Sequence, residues 1–258
     1  NRSILECSGI SSSLNFKDHY WVHNDSGGKG AAFLITSKGK SRLEVKLNQV
    51  QNRDFEDCAT FRQNGKSYVA IGDIGDNLRQ RNELVVYIFE EPAVLPDQES
   101  ISLNLTTTIT FKFEDKIKRD CEGLAYFSPT QTLLVGSKLK TRQILNEEKA
   151  GIFQLQFDIS KKKQRSIAKQ SAEVPGGMNT GMDFRLDGQY AVIRNYLHGT
   201  LFRISNSDLK QSFTNNLGQR IDLPFQRQGE AICFTKDGKN LIVTSEGKNQ
   251  AIYEIRLR

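Results

Sequence analysis

A strand–turn–strand unit that recurs five times constrains this chain more than any other feature. Each copy has a short apolar run, a polar turn, and a second apolar run ending in polar or charged residues. The copies are Ser8–Ser11 with Tyr20–Ser26, Asp57–Phe61 with Tyr68–Asp73, Glu122–Tyr126 with Leu133–Lys138, Thr180–Phe184 with Tyr190–Asn195, and Glu230–Phe234 with Leu241–Glu246. The turns carry Asn64-Gly65, Asp187-Gly188 and Asp237-Gly238, residue types that tolerate the positive φ of tight hairpins. The flanking runs are rich in Val, Ile, Leu, Tyr and Phe, as strands are. No stretch combines a strong helical period with caps.

A third strand is expected from Ala32, Leu84, Ile152, Leu201 and Ile252. A fourth is expected at Leu43–Leu47, Thr108–Phe113, Ser166–Gln170 and Arg220–Leu223. Four-stranded units repeating around an axis are propeller blades. The expectation is one all-β domain over residues 1–258, a five-bladed β-propeller, with unit starts roughly 50 to 65 residues apart. The fifth unit runs out before a fourth strand, so Arg2–Glu6 is expected to supply it and close the ring, leaving no open sheet edge. A six-bladed ring is the alternative, if Glu90–Asp120 hides another unit.

A hydrophobic share of 37% with 20 Gly supports a sizeable but not all-apolar core. Part of the net charge of +6 lies in the run Lys161, Lys162, Lys163 and Arg165, which reads as a solvated hairpin tip. Basic residues are not interleaved with aromatics on one face, so no nucleic-acid partner is expected. No apolar run reaches the length of a membrane span. Cys7, Cys58, Cys121 and Cys233 form no CxxC pair, which argues against a zinc knuckle. Three of them sit in apolar strand runs, and free thiols are favoured over disulfides. The chain begins at Asn1 rather than Met, which fits removal of a secretion leader or trimming of the chain.

In a propeller the innermost strands begin on the face where the second strands end. That places Ser8, Glu56, Asp57, Glu122, Thr180 and Glu230 beside His23, Asn24, Asp25, Asp73, Asp76, Asn77, Lys138, Arg194, Asn195 and Glu246. Crowded carboxylates raise one another's pKa and call for a cation, a shared proton or basic neighbours. Lys138 and Arg194 offset part of the charge, and a hard oxygen-liganded ion such as Ca²⁺ would offset more. Asp73, Asp76 and Glu122 are the candidate metal ligands. Asn24, Asp57, Asn77, Lys138, Arg194, Asn195 and Glu246 are the candidate ligand-binding residues. Asp25 and Asp76 equally suit Asx turns, and Asp54 and Asp120 read as structural. With three His and no HExxH, a zinc hydrolase is not expected. Ser26 lacks the strand–elbow–helix setting of a hydrolase nucleophile. Gly27–Gly30 reads as a flexible loop, since no helix follows it.

His23–Gly27, Asn52–Asp57, Gly72–Asn77 and Asp120–Ala125 resemble motifs of a family of secreted bacterial propeller proteins of unsettled function. More distantly, Glu122-Gly-Leu-Ala and Thr244-Ser-Glu-Gly look like the phytase-like esterase and calcium-dependent lactonase propellers. The resemblance implies secretion to a periplasmic or extracellular location and an axial site holding a cation.

Three functions follow as expectations. The first is a monomeric binding module that holds a cation or a small polar ligand without turnover. The second is a cation-assisted hydrolase of a glycoside, lactone or phosphoester, with Asp25 or Asp73 as base and Glu122 or Glu230 as acid; such carboxyl pairs stand about 5 to 9.5 Å apart in glycosidases. The third is a protein-interaction platform.

Overall fold

The computed structural model describes residues 4–146, 148–174, 177, 179–214 and 218–257. Twenty strands and two short helices make up the described chain. The first sheet runs β1 (Cys7–Ser12), β2 (His19–Asn24), β3 (Lys29–Thr36) and β4 (Ser41–Gln51), each antiparallel to the one before. The second run is β5 (Phe55–Gln63), β6 (Lys66–Asp73) and β7 (Leu84–Glu90), followed across the sheet by β9 (Thr107–Phe113). The third is β10 (Cys121–Phe127), β11 (Thr132–Ser137), β12 (Ala150–Leu155) and β13 (Lys163–Val174). The fourth is β14 (Asn179–Phe184), β15 (Tyr190–Asn195), β16 (His198–Arg203) and β17 (Gln219–Asp222), and the last is β18 (Gly229–Phe234), β19 (Asn240–Ser245) and β20 (Tyr253–Arg256).

The first strand of each run is buried along its length or nearly so. These strands pack in a closed circuit: β1 against β5 and β18, β5 against β10, β10 against β14, and β14 against β18. Close approach explains the small residues along them. A Cβ at Gly181 would collide with the Glu230 carbonyl oxygen of the neighbouring strand.

Turn chemistry is local. Asn64 and Gly65 both take positive φ, 51° and 76°, between β5 and β6. At the other two predicted turns only the glycines do, Gly188 at 70° and Gly238 at 68°. There the aspartates act through their side chains instead. Asp187 Oδ1 accepts from the Gln189 N–H (2.9 Å) and Asp237 Oδ1 from the Lys239 N–H (3.1 Å).

Two pairings lay outside the sequence expectation. β9 and β13 run parallel from Lys163↔Thr108 to Ala168↔Phe113, joining the second and third runs into one eight-stranded sheet. β8 (Ser100–Leu103) pairs parallel with β4. Residues 90–120 therefore supply outer strands to two existing runs and no separate sheet. At the other end, residues 1–3 of the expected closing strand lie outside the described residues. Ile4–Glu6 form no strand, and β20 is the outermost strand of its sheet among the described residues. Ile4 and Ile252, the latter just before β20, nonetheless pack against the same buried cluster. The short helices α1 (Thr141–Leu145) and α2 (Leu209–Thr214) sit in connections. All four cysteines are buried and free, and burial pushes the Cys7 thiol up to about 12.

Candidate functional site at the strand-start face

Each first strand pairs with its partner through a register shift at its start. The shifts fall between Cys7 and Gly9, Phe55 and Asp57, Cys121 and Gly123, Asn179 and Gly181, and Gly229 and Ile232. A bulge leaves a residue out of the ladder and re-aims its side chain. The residues at these places are Ser8, Glu56, Glu122, Thr180 and Glu230 with Ala231. Two hydroxyls stitch the circuit: Ser8 Oγ donates to the Phe55 carbonyl and Thr180 Oγ1 to the Gly229 carbonyl, both at 3.0 Å. The three glutamates meet other acids.

Asp25, Asp54 and Glu56 each place a carboxylate oxygen within 4.8 Å of the others, and so do Glu56, Asp120 and Glu122. Glu56 belongs to both groups. The backbone of Gly75 presses against them, since a Cβ there would collide with Glu56 Oε1 and Asp54 Oδ2. From Glu122 the chain of contacts continues. Lys138 Nζ bonds Glu122 Oε1 at 2.5 Å and Tyr196 Oη at 3.1 Å. Tyr196 Oη donates to Glu230 Oε1 at 3.4 Å. The Glu246 carboxyl faces both Glu230 and Asp25 and raises the pKa of each, which completes the loop. Among the described residues, seven carboxyl groups thus gather around the Lys138 ammonium, with the Arg81 guanidinium acting on Asp54 from one side.

The charge imbalance registers in the acidities. Burial, then Glu246 and Asp54, raise Asp25 to about 7. Burial raises Glu122 to about 7 against the pull of Lys138. Burial and the Glu246 carboxyl raise Glu230 to about 9. Glu56, buried and facing Glu122, Asp25 and Asp54, stands well above the usual carboxylate range. Burial raises Asp54, with Asp120 adding to it. Burial opposes the Lys138 ammonium, but Glu122 and Tyr196 outweigh it and hold the amine protonated.

The remaining candidates have other work. Asp73 ion-pairs with Arg81 at 2.7 Å, both buried. Asp76 accepts the Gln80 and Arg81 N–H groups, each at 2.8 Å, so it shapes its own loop; its N–H donates to Asp120 Oδ1 at 2.8 Å. Of the proposed metal set Asp73, Asp76 and Glu122, only Glu122 lies in either carboxylate group. Asp57 is buried, and its carboxylate takes the N–H groups of Cys58 (2.8 Å), Leu124 (2.9 Å) and Met182 (3.2 Å), tying three first strands together. Arg194 is buried, donating to the carbonyls of Ala231 (3.0 Å) and Thr244 (3.2 Å) and to Gln226, and burial lowers it to about 10. Asn195 Oδ1 caps the Leu197 and His198 N–H groups. Asn24 Oδ1 accepts from Leu5 and Glu6, and Asn77 is exposed. His23 is fully buried, and burial lowers it to about 4.

Asp54 and Asp120 read as structural from sequence, yet both stand in the carboxylate groups; Tyr196 gave no signal at all. A signal for the first two exists. Arg53-Asp-Phe-Glu56 and Arg119-Asp-Cys-Glu122 share the pattern Arg-Asp-x-Glu, with the glutamate at the bulge in both. Two clefts lie beside the second run, one of about 770 Å³ lined by Gln49, Arg53, Asp73 and Arg81 among others, and one of about 760 Å³ lined by Phe111, Ile117, Arg119 and Ile167 among others.

No family model matches the chain, and no curated protein matches it in sequence. Among solved structures it is similar to hydrazine synthase of Kuenenia stuttgartiensis, at 12% identity and a TM-score of 0.48 over 97% of this chain and 71% of that one. It is similar at the same identity and TM-score to a putative 6-phosphogluconolactonase from Bacteroides uniformis, over 97% of this chain and 67% of that one. At that distance neither likeness bears on the chemistry of the mouth.

Proposed function

We propose that the five first strands line the axis of a five-bladed propeller. Its acidic mouth binds a hard divalent cation, with Ca²⁺ the leading candidate, and through it a small polar ligand. The observation that carries this reading is Glu56, whose buried carboxylate reaches both Asp25–Asp54 and Asp120–Glu122. The donor set is all oxygen, which suits a cation that takes six to eight such ligands. Lys138 alone leaves most of these acids without a positive partner, and their pKa values rise accordingly, a strain that a bound cation would relieve. Asp25, Asp54, Glu56, Asp120 and Glu122 are the residues that would hold the ion, which when bound would neutralise them and polarise a ligand oxygen. One chain supplies every group, so the reading needs no second copy. A periplasmic or extracellular setting, where calcium is plentiful, belongs to the same reading.

A ligand that binds only the folded state at a hundredfold excess over its Kd adds about 2.7 kcal/mol of stability. Calcium should raise the melting temperature of the wild-type chain and a chelator should reverse it. Glu56→Gln should abolish the shift while leaving a folded protein. No calcium-dependent shift in the wild type would sink the cation.

One observation favours turnover as a second reading. Glu230, at about 9, keeps its proton at neutral pH beside Tyr196 and Glu246, while Asp25 titrates at about 7. An acid and a base held apart in this way are the pair that glycoside, lactone or phosphoester hydrolysis needs. Turnover on a panel of such substrates that Glu230→Gln removes would support it.

A further inference from the structure

Among the described residues, five apolar side chains more than half exposed stand in water on the face that carries the mouth. Leu78 is 74% exposed, Ile117 56%, Leu145 78%, Leu197 77% and Phe225 92%. Each lies in a loop that follows a second strand or leads into a first strand, between β6 and β7, β9 and β10, β11 and β12, β15 and β16, and β17 and β18. The antiparallel order of the runs puts all of these loops at one end of the sheets. Hydrogen bonds tie them into one surface. Arg79 beside Leu78 donates to Gln143 of α1, the helix that ends in Leu145. Lys118 Nζ beside Ile117 donates to the Gln80 carbonyl at 2.8 Å. Arg194 beneath the Leu197 loop donates to Gln226, the neighbour of Phe225. Tyr196, next to Leu197, meets Lys138, which precedes α1.

Exposed apolar tips collected on one face mark an interaction surface. The charges between them say what kind. Lys116, Lys118, Lys140, Arg142 and Arg227 are exposed on these same loops. The exposed acids there, Glu114, Asp115 and Glu148, are fewer among the described residues, and Asp115 is taken by Arg119. Of the mouth's acids, Glu56, Asp120, Glu122 and Glu230 are buried, while Asp25, Asp54 and Glu246 are half-buried and sit inside the ring of outer cations. Apolar tips separated by outward cations match the interface of an anionic bilayer, where side chains such as Phe and Leu enter the headgroup boundary and Lys and Arg meet phosphate. A basic protein partner would meet those outer cations with like charge.

We infer that this face docks on an anionic lipid surface, with Phe225, Leu145, Leu197, Leu78 and Ile117 as the inserting tips. The docking would hold the mouth against the headgroups, and it does not depend on whether the mouth binds a cation. The test is co-sedimentation of the full chain, in chelator, with vesicles of phosphatidylcholine alone or mixed with phosphatidylglycerol. Binding to the mixed vesicles that weakens in high salt is expected, with little to phosphatidylcholine. Phe225→Ser combined with Leu145→Ser removes two exposed tips that no packing requires, and should lower partition at least about tenfold, given the apolar area withdrawn. Lys140→Glu with Arg142→Glu should lower it further, with an unchanged melting temperature as the folding control. Absence of binding to the mixed vesicles would overturn the inference, as would binding that the tip changes leave intact. A tip-dependent dimer in light scattering without vesicle binding would overturn it too, in favour of a second copy as the occupant.

Discussion

Asp57 shows how one side chain can carry three strands. Its Oδ1 accepts the Cys58 N–H, and its Oδ2 accepts those of Leu124 and Met182, from β5, β10 and β14 respectively. The carboxylate is fully buried, so burial raises its pKa while the three N–H donors pull it down. Asp183 repeats the device between β14 and β18, accepting the Phe184 and Phe234 N–H groups at 2.8 Å. An amide in place of Asp57 would turn one acceptor into a donor facing other donors. Asp57→Asn should therefore cost about 3 kcal/mol, the toll of one or two unsatisfied buried N–H groups. Urea unfolding would show it as a lower midpoint at unchanged slope, whereas a loss under about 0.5 kcal/mol would mean the amide finds another arrangement. From sequence this aspartate looked like a ligand-binding group, because its position at a strand start was legible and its backbone partners, distant along the chain, were not. The reverse holds for Asp54 and Asp120. From sequence they read as structural, and only the repeated Arg-Asp-x-Glu pattern, which that reading did not use, hints that they accompany the bulge glutamates.

Strands were legible wherever periodicity and turn chemistry were local. The five hairpins, the third strands and the four expected outer strands stand where the alternation of apolar and polar residues places them, within a few residues. What stayed hidden was pairing between runs. Parallel partners need no shared turn, so nothing in Thr107–Phe113 announces that it will lie beside Lys163–Ala168. That seam has a consequence for stability. β13 continues beyond its antiparallel partner β12, and over 163–168 its registered partner is β9. The two runs hence share a ladder at their outer edges as well as contacts between β5 and β10 at the inner. Ser166→Pro places a residue without an N–H, and with a fixed φ, in the middle of that stretch. A loss of about 3 kcal/mol is expected, comparable to a proline that breaks regular structure elsewhere. Hydrogen exchange offers the sharper reading: amides of β9 and β13 should lose protection together, while those of β18 and β19 keep theirs. Loss confined to β13 would show that the seam carries no cooperativity.

At the scale of the whole molecule, three of the five bulges bring glutamates from distant parts of the chain together with loop acids in one mouth, and the folded state bears their mutual repulsion. The consequence has a definite sign. A carboxyl whose pKa is higher in the folded than in the unfolded chain binds more protons when folded, so stability falls as pH rises between the two values. Asp25 and Asp183 move from 3.8 to about 7, Glu122 from 4.5 to about 7, and Glu230 from 4.5 to about 9. His23 acts oppositely, since burial lowers it from 6.5 to about 4, but its effect is confined to pH below 6.5. The thiols and Lys138 are raised above their ordinary values of 9.0 and 10.5, so they enter only at higher pH. Between pH 6.5 and 9 the carboxyls therefore govern, and in chelator the melting temperature should decline across that range. Glu230→Gln, which keeps a donor toward Glu246 and cannot ionise, should flatten the upper part, from about 7 to 9. A bound divalent cation would favour the ionised acids, so calcium should flatten the whole decline and have its largest effect at the alkaline end. A melting temperature that climbs from pH 6.5 to 9 in chelator would mean that the acids of the mouth are not held against their charge, and the case for a cation among them would go with it.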